Sequence, residues 1–332
     1  MKSSNKITDK FGRIHDYLRI SLTERCNLRC AYCMPEQGVP LREKSEFMTA
    51  KETIEIAKVF VSMGIKKIRL TGGEPLINKD VALIIKELGK LPVELGITTN
   101  GVLLDRFVDV LREANVKSVN ISLDSLREKQ FNQITRRDYF HKVMNNIDLL
   151  LKNNFTVKIN TVLIKGINDN EITDFIEWTR NTNIHVRFIE FMPFDGNNWD
   201  WNKKVSYREI MDAAEAHFGP NQLLKLPEEK NKISRNFKVV NGLGTFGVIS
   251  TVTNPFCDSC NRIRLTADGK IKNCLFSTTE IELLKVHRAN LPLQGYIEQA
   301  ISSKQKAHGG NGKFCNKSAE KLKNRSMIRI GG

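Results

Sequence analysis

No stretch of this 332-residue chain keeps about 18 or more apolar residues in a row, so no transmembrane helix is expected. The opening MKSSNKITDKFGRIHDYLRI lacks the apolar centre of a secretory signal. The expected compartment is therefore the cytosol, where thiols stay reduced and clustered cysteines read as metal or catalytic sites rather than disulfides. Acidic residues are in deficit: 37 Asp and Glu stand against 52 Lys and Arg, a formal charge of +15. Such an excess suits a nucleic acid, an acidic membrane surface or a phosphorylated small molecule, or is simply a basic solvated surface. Many of the lysines fall in 223–240 and 303–329, as a solvated face would have them. Cysteine is scarce, seven residues in all, yet six of the seven stand in two triplets.

The first triplet, Cys26, Cys30 and Cys33, has the spacing CxxxCxxC within eight residues. What it lacks is a fourth ligand. A structural zinc or an ordinary iron–sulfur cluster takes four protein ligands, whereas a three-ligand site leaves one position open for chemistry. The second triplet is Cys257, Cys260 and Cys274: CxxC, thirteen residues, then one cysteine. A zinc ribbon would need a nearby fourth thiolate or histidine, and His287, His308 and Cys315 follow at unsuitable spacings. A second three-cysteine cluster is the alternative to zinc with a distant ligand. Cys315 fits no motif and reads as a spare thiol.

Between the triplets the pattern alternates. Strands are predicted over 16–22, 66–70, 95–99, 119–123, 157–164 and 186–191. Thr49 and Glu52 form a capping box for a helix that Gly64 ends. Further helices are expected over 80–88 (stopped by Gly89), 103–114, 171–179 and 207–218, with helix also leading up to about 152. Strand–helix alternation at this spacing means parallel βαβ units, about six of them, short of the eight of a closed barrel. The expected fold is therefore α/β, an incomplete (βα)6 TIM-like barrel. Composition shifts after residue 194, and short strands follow near 232–240 and 243–251. A boundary near 220 would leave 1–220 as the partial barrel and 221–332 as a C-terminal domain.

Thr71-Gly72-Gly73-Glu74-Pro75 lies between a strand and a helix. Its glycines let backbone approach a ligand, and Glu74 beside them could receive an ammonium group. Arg262 and Arg264 share one face of a strand by the period-two rule, and Ala267-Asp-Gly-Lys270 favours a hairpin. Two guanidiniums on one face can grip a phosphate chain bidentately, or be two surface arginines.

The CxxxCxxC loop with Tyr32 before its last cysteine, followed by GGEP, resembles the radical S-adenosylmethionine enzymes. The blocks DYLRISLTERCNLRCAYC and FCxxCNRxRLTxDGxxxxCL and the terminal Gly331-Gly332 narrow the likeness to the GTP 3′,8-cyclase (molybdenum cofactor biosynthesis protein A) family. The resemblance implies two 4Fe-4S clusters. Cys26, Cys30 and Cys33 would hold one whose open iron binds S-adenosylmethionine, with Tyr32, Gly73, Ser122 and Met192 around that cofactor. Cys257, Cys260 and Cys274 would hold the other, whose open iron binds the guanine of GTP. Arg19, Lys67, Arg69, Thr98, Lys158, Arg187, Arg262 and Arg264 would contact GTP, and Gly331 and Gly332 would reach into the active site.

The implied reaction begins with reductive cleavage of S-adenosylmethionine to a 5′-deoxyadenosyl radical, which takes hydrogen from C3′ of GTP. C3′ then bonds to C8 of the guanine, giving 3′,8-cyclo-7,8-dihydro-GTP, the first step toward molybdenum cofactor. Implied partners are a flavodoxin- or ferredoxin-like electron donor and a downstream cyclic pyranopterin monophosphate synthase, with neither membrane nor nucleic acid. A homodimer is suggested by the resemblance and demanded by no residue pattern. The competing readings are another radical S-adenosylmethionine enzyme with an auxiliary cluster (peptide-modifying or a dehydrogenase) and a non-enzymatic metal-binding nucleic-acid module.

Overall fold

The computed structural model describes residues 6–34, 37–40, 42–227, 233–311 and 324–331. Cys315 and Gly332 lie outside the described residues. The six predicted strands are present as β1 (Tyr17–Ser21), β2 (Lys67–Thr71), β3 (Glu94–Thr99), β4 (Ser118–Ser122), β5 (Thr156–Leu163) and β6 (His185–Glu190). They lie side by side in that order, every pair parallel. The helices between them are α1 (Ala50–Ser62), α2 (Val81–Gly89), α3 (Val108–Glu113), α4 (Glu128–Thr135), α5 (Phe140–Lys152) and α6 (Ile172–Asn181). After β6 comes α7 (Tyr207–Phe218).

The second half of the chain extends this sheet at both edges. Strands β7 (Leu223–Lys225), β8 (Arg235–Val239) and β9 (Thr245–Ile249) join beyond β6, with β9 parallel to it. At the other edge β10 (Arg262–Leu265) pairs parallel with β1, and β11 (Lys270–Lys272) and β12 (Ile281–Glu282) follow antiparallel. The order is β12-β11-β10-β1-β2-β3-β4-β5-β6-β9-β8-β7, one sheet of twelve strands among the described residues. Eight neighbouring strands are thus parallel, yet β9 and β10 do not pair, so the barrel stays open. Helices α8 (Leu283–Arg288) and α9 (Gln294–Ser302) follow, and the described chain closes on α10 (Met327–Ile330) and Gly331.

Each strand sends alternate residues to opposite faces. On β1, Leu18 and Ile20 are buried in the core that also holds Ile56, Phe60, Ile68, Leu70, Ile97 and Val119. Tyr17, Arg19 and Ser21 point the other way. The main core therefore takes the apolar side chains of the sheet and its helices, and the opposite face of the sheet is left polar.

Local details depart from the sequence reading in three places. Gly89 is the last residue of α2 rather than a stop beyond it, and a Cβ there would lie 2.8 Å from that of Ala114. Close packing of α2 on the end of α3 is what demands glycine. The helix expected over 103–114 is split into a 3-10 turn, Leu104–Arg106, and α3. Residues 7–15, read as part of an unpatterned leader, form a pinned turn. Buried Asp9 accepts from Arg13 Nε at 2.6 Å, and its Oδ2 lies 3.1 Å from His15 Nε2.

Candidate active site

The polar face of the sheet lines a cavity of about 910 Å³, at the upper end of the range of roughly 300–1,000 Å³ usual for small-molecule sites. Its wall includes Cys26, Cys30 and Cys33 together with Cys257, Cys260 and Cys274. Two triplets separated by more than two hundred residues of sequence therefore face one space. The pairing of β10 with β1 brings them together, since the first triplet follows β1 and Cys257 and Cys260 precede β10.

The same wall carries Tyr32, Gly73, Ser122 and Met192, and all of Arg19, Lys67, Arg69, Thr98, Lys158, Arg187, Arg262 and Arg264. Register explains the grouping. Arg19 is paired with Arg69 on one side and Arg264 on the other, and Tyr17 with Lys67 and Arg262. Thr98 stands opposite Asn120, Asn120 opposite Lys158, and Asn160 opposite Arg187. These positions share the face away from the helices.

Several of these side chains are already engaged. Lys67 is paired with Glu94 at 2.5 Å. Arg69 donates to the Tyr17 hydroxyl at 2.8 Å and the Ile97 carbonyl at 2.9 Å. Others have buried polar atoms without a hydrogen-bond partner among the described residues: Arg19 Nε, Thr98 Oγ1, Asn120 Oδ1, Asn160 Oδ1, and Arg187 Nε and Nη2. An unmet buried donor or acceptor costs about 1–3 kcal/mol. This many on one wall fits a large, polar ligand. Burial, with like-charged neighbours, lowers Arg187 to about 9 and Arg19 to about 10. An anion between them would relieve both effects.

The thiols fit a cluster better than a single ion. Among the described residues no three His, Cys, Asp or Glu side chains are grouped to hold a single ion. A single zinc needs converging donors, whereas thiolates around a 4Fe-4S cube each bind a different iron. Three thiols lining a cavity wall fit the cube. Burial pushes Cys26 up to about 11 and Cys33 to about 12, and Cys30 well above its usual value. Glu74 adds to the rise at Cys26 and Asp124 at Cys30. Such thiols ionise readily only with a positive centre bound. At Cys260 burial also acts upward, but Lys304 and Arg262 outweigh it and hold the thiol below its ordinary value.

The glycine motif works by close approach. Gly73 N donates to the Thr23 carbonyl at 2.7 Å, and a Cβ on Gly73 would run into the Arg25 carbonyl. Glu74 does not reach the cavity wall. Its buried carboxylate accepts from Thr99 Oγ1 and Asn100 N, both at 2.7 Å, and from Leu76 N at 3.0 Å. The ammonium-binding role suggested for Glu74 is replaced by that of fastening the loop after β3. Tyr32 donates to Asp124 Oδ2 at 2.7 Å, and burial raises Asp124 to about 6.

The C-terminal segment touches both triplets' surroundings. Met327 and Ile328 line the cavity, and the Ile328 backbone hydrogen-bonds to Cys33. Arg264 donates to the Gly331 carbonyl at 2.6 Å. Gly331 has φ +83°, and a Cβ there would sit 2.8 Å from Ser21 and Thr71 atoms. An ionic clasp fastens the segment: Arg325 binds both oxygens of Asp268 at 2.9 and 3.0 Å and Glu280 at 2.5 Å. Arg42 joins Asp268 to Glu24, which Arg329 also approaches.

Sequence reading missed Tyr17, Asn120, Asn160, Asp124 and His185, all on the cavity wall. Four of them carry one signal, a polar residue two places from a chosen one on the same strand. Tyr17 is set among cations: burial would raise its phenol, but Arg69, Arg19, Arg262 and Lys67 bring it down to about 7.

Comparison with known proteins fits this geometry. A family model described as "Radical SAM superfamily" matches residues 20–179, and "Molybdenum Cofactor Synthesis C" matches 184–310. "GTP 3′,8-cyclase, mitochondrial" from Arabidopsis thaliana is 43% identical over 99% of this chain and 84% of its own. "GTP 3′,8-cyclase" from Listeria welshimeri is 42% identical over 91% of this chain and 92% of its own. "Molybdenum cofactor biosynthesis protein 1" of Dictyostelium discoideum is 45% identical over 98% of this chain but 52% of its own. The chain spans about half the length of the first curated relatives it matches. Among solved structures, Streptococcus suis SuiB bound to S-adenosylmethionine aligns at a TM-score of 0.61 and 17% identity, over 87% of this chain and 69% of that one. That likeness concerns the fold.

Proposed function

This chain belongs to the GTP 3′,8-cyclase family of the radical S-adenosylmethionine superfamily, and we propose that it cyclises GTP to 3′,8-cyclo-7,8-dihydro-GTP. The observation that carries the proposal is the single cavity shared by two cysteine triplets and a belt of arginines and lysines. The superfamily brings a 4Fe-4S cluster and S-adenosylmethionine; a second cluster is part of the proposal. Cys26, Cys30 and Cys33 would hold the first cluster and Cys257, Cys260 and Cys274 the second. When bound, these groups supply reductive cleavage of S-adenosylmethionine and an open iron for the guanine.

The chain's own residues bind and orient. Tyr32, Gly73, Ser122 and Met192 would line the S-adenosylmethionine side. The unpartnered nitrogens of Arg19 and Arg187 would take triphosphate oxygens, with Lys67, Arg69, Lys158, Arg262 and Arg264 adding positive charge and Thr98 a hydroxyl. Pre-set cations hold the nucleotide in one pose, which is most of what a protein contributes to cofactor-driven chemistry. The Gly331 carbonyl accepts from the Arg264 guanidinium and so fixes it in place. The segment 221–332 would add the second cluster, Arg262, Arg264 and the C-terminal tail to the partial barrel of 1–220, which carries the first cluster and the rest of the belt. A flavodoxin- or ferredoxin-like donor and a cyclic pyranopterin monophosphate synthase would stand before and after it, in a reducing compartment such as the cytosol. Among the described residues no helix is long and apolar enough to cross a membrane.

Anaerobic reconstitution with iron and sulfide tests the reading. About eight irons per chain and GTP-dependent cleavage of S-adenosylmethionine are expected. Two tightly bound zincs and no cleavage would refute it.

A further inference from the structure

We propose that Lys304 is a built-in charge partner of Cys260 that raises the reduction potential of the second cluster. The inference rests on the reading of the second triplet as a cluster site.

Lys304 lies two residues beyond α9 and is 2% exposed. Its Nζ donates to Cys260 Sγ at 3.4 Å and to the Arg262 carbonyl at 3.0 Å. It does not line the cavity, so it reaches the sulfur from the protein side rather than the ligand side. Among the described residues no carboxylate stands within ion-pair distance of it. A buried ammonium without a counter-ion costs several kcal/mol. The anion that balances it is the Cys260 thiolate.

The residues on either side of Lys304 are held by hydrogen bonds. Arg13 donates to the carbonyls of Cys257 at 2.8 Å, Lys306 at 2.9 Å and Gln305 at 2.9 Å. Asn273, the neighbour of Cys274, donates to Ala300 O at 2.7 Å and Ser303 Oγ at 3.0 Å. The segment carrying Lys304 is thereby tied to residues at or beside all three cysteines. This also gives the turn at 7–15 a purpose, since Arg13 acts from there.

The first triplet has a different setting. Among the described residues Cys26 Sγ receives only neutral donors, Leu28 N at 3.4 Å and Asn100 Nδ2 at 3.7 Å. Among the charged neighbours of this triplet, Glu74 acts on Cys26 and Asp124 on Cys30, while Arg29 opposes Glu74 at Cys26. Reduction adds negative charge to a cluster. A cation hydrogen-bonded to a ligand sulfur stabilises the reduced form, and nearby carboxylates destabilise it. Lys304 therefore favours the reduced form of the second cluster from the protein side of Cys260.

The test is a potentiometric titration followed by electron paramagnetic resonance. The full chain carries Cys26→Ala, Cys30→Ala and Cys33→Ala, so that the second cluster is observed alone. Lys304→Met, which removes charge and donor, should move the midpoint to more negative potential. Lys304→Gln, which keeps a donor, should move it less, and Lys304→Arg should leave it near the parent value. A midpoint unmoved in both neutral variants, with iron content retained, would overturn the assignment of Lys304 alone. If the triple-alanine parent takes up no cluster, the reading of the second triplet falls with it, and this is visible before any potential is measured. Loss of the cluster in Lys304→Met leaves the decision to Lys304→Gln, where a negative shift supports the proposal and none overturns it.

Discussion

Arg187 tests the nucleotide belt most cleanly, because its Nε and Nη2 are buried without partners among the described residues. A charge-assisted hydrogen bond contributes about 1.5–3 kcal/mol, so Arg187→Ala should weaken GTP binding roughly ten- to a hundredfold. Affinity for S-adenosylmethionine should stay within about twofold, both measured by equilibrium dialysis of the reconstituted protein. Equal losses for the two ligands would contradict a phosphate role. His15 makes a different kind of prediction. Burial lowers it to about 4, Lys304 and Arg13 add to the fall, and Asp9 opposes it. With the folded value below the unfolded one, its contribution to stability is complete above about pH 6.5 and is lost as pH falls toward 4. Denaturant unfolding should give about 2 kcal/mol less stability at pH 5 than at pH 7 from this residue. His15→Gln should flatten that slope. The positions chosen by motif, such as Cys26 and Arg262, were visible in the sequence because their spacing is chemical. Asn120 and His185 were visible only as strand parity, and Lys304 not at all. Its partner is 44 residues away, and nothing local marks a lysine as buried.

At the scale of elements, capping and the succession of strands and helices carried the reading. The box at Thr49 and Glu52 starts α1, and the β-branched run predicted over 157–164 is β5, which buries every second residue from Val157 to Leu163. The joining of β9 and β10 to the edges of the barrel was not readable, since long-range pairing leaves no local signature. The clasp on α10 was equally hidden, because Arg325, Asp268, Glu280 and Glu24 are distant in sequence. It predicts that Arg325→Ala frees the tail. Amide exchange over 326–331 should quicken, and turnover should fall by about ten- to a hundredfold as Gly331 and Arg264 lose their alignment. The melting temperature should fall only slightly, since the main core does not include the tail. Unchanged exchange in that segment would show that the clasp holds nothing. Gly73→Ala acts on the other side of the cavity. The added methyl meets the Arg25 carbonyl next to Cys26, so iron uptake by the first triplet should drop while that by the second persists.

For the molecule as a whole, one open barrel sets two cysteine triplets on the wall of a single cavity, and the belt of cations lines the same space. The charge of +15 finds part of its explanation there. Which part belongs to the belt and which to the outer surface could not be told from composition, because parity and register decide it. The central claim is that chemistry begun at the first triplet acts on GTP held at the second. The direct test is to give the reconstituted protein S-adenosylmethionine, a reductant and GTP deuterated at C3′, and to weigh the 5′-deoxyadenosine by mass spectrometry. Deuterium in 5′-deoxyadenosine, with a matching amount of cyclised nucleotide, is the predicted result. Unlabelled 5′-deoxyadenosine formed at the same rate with and without GTP would contradict it.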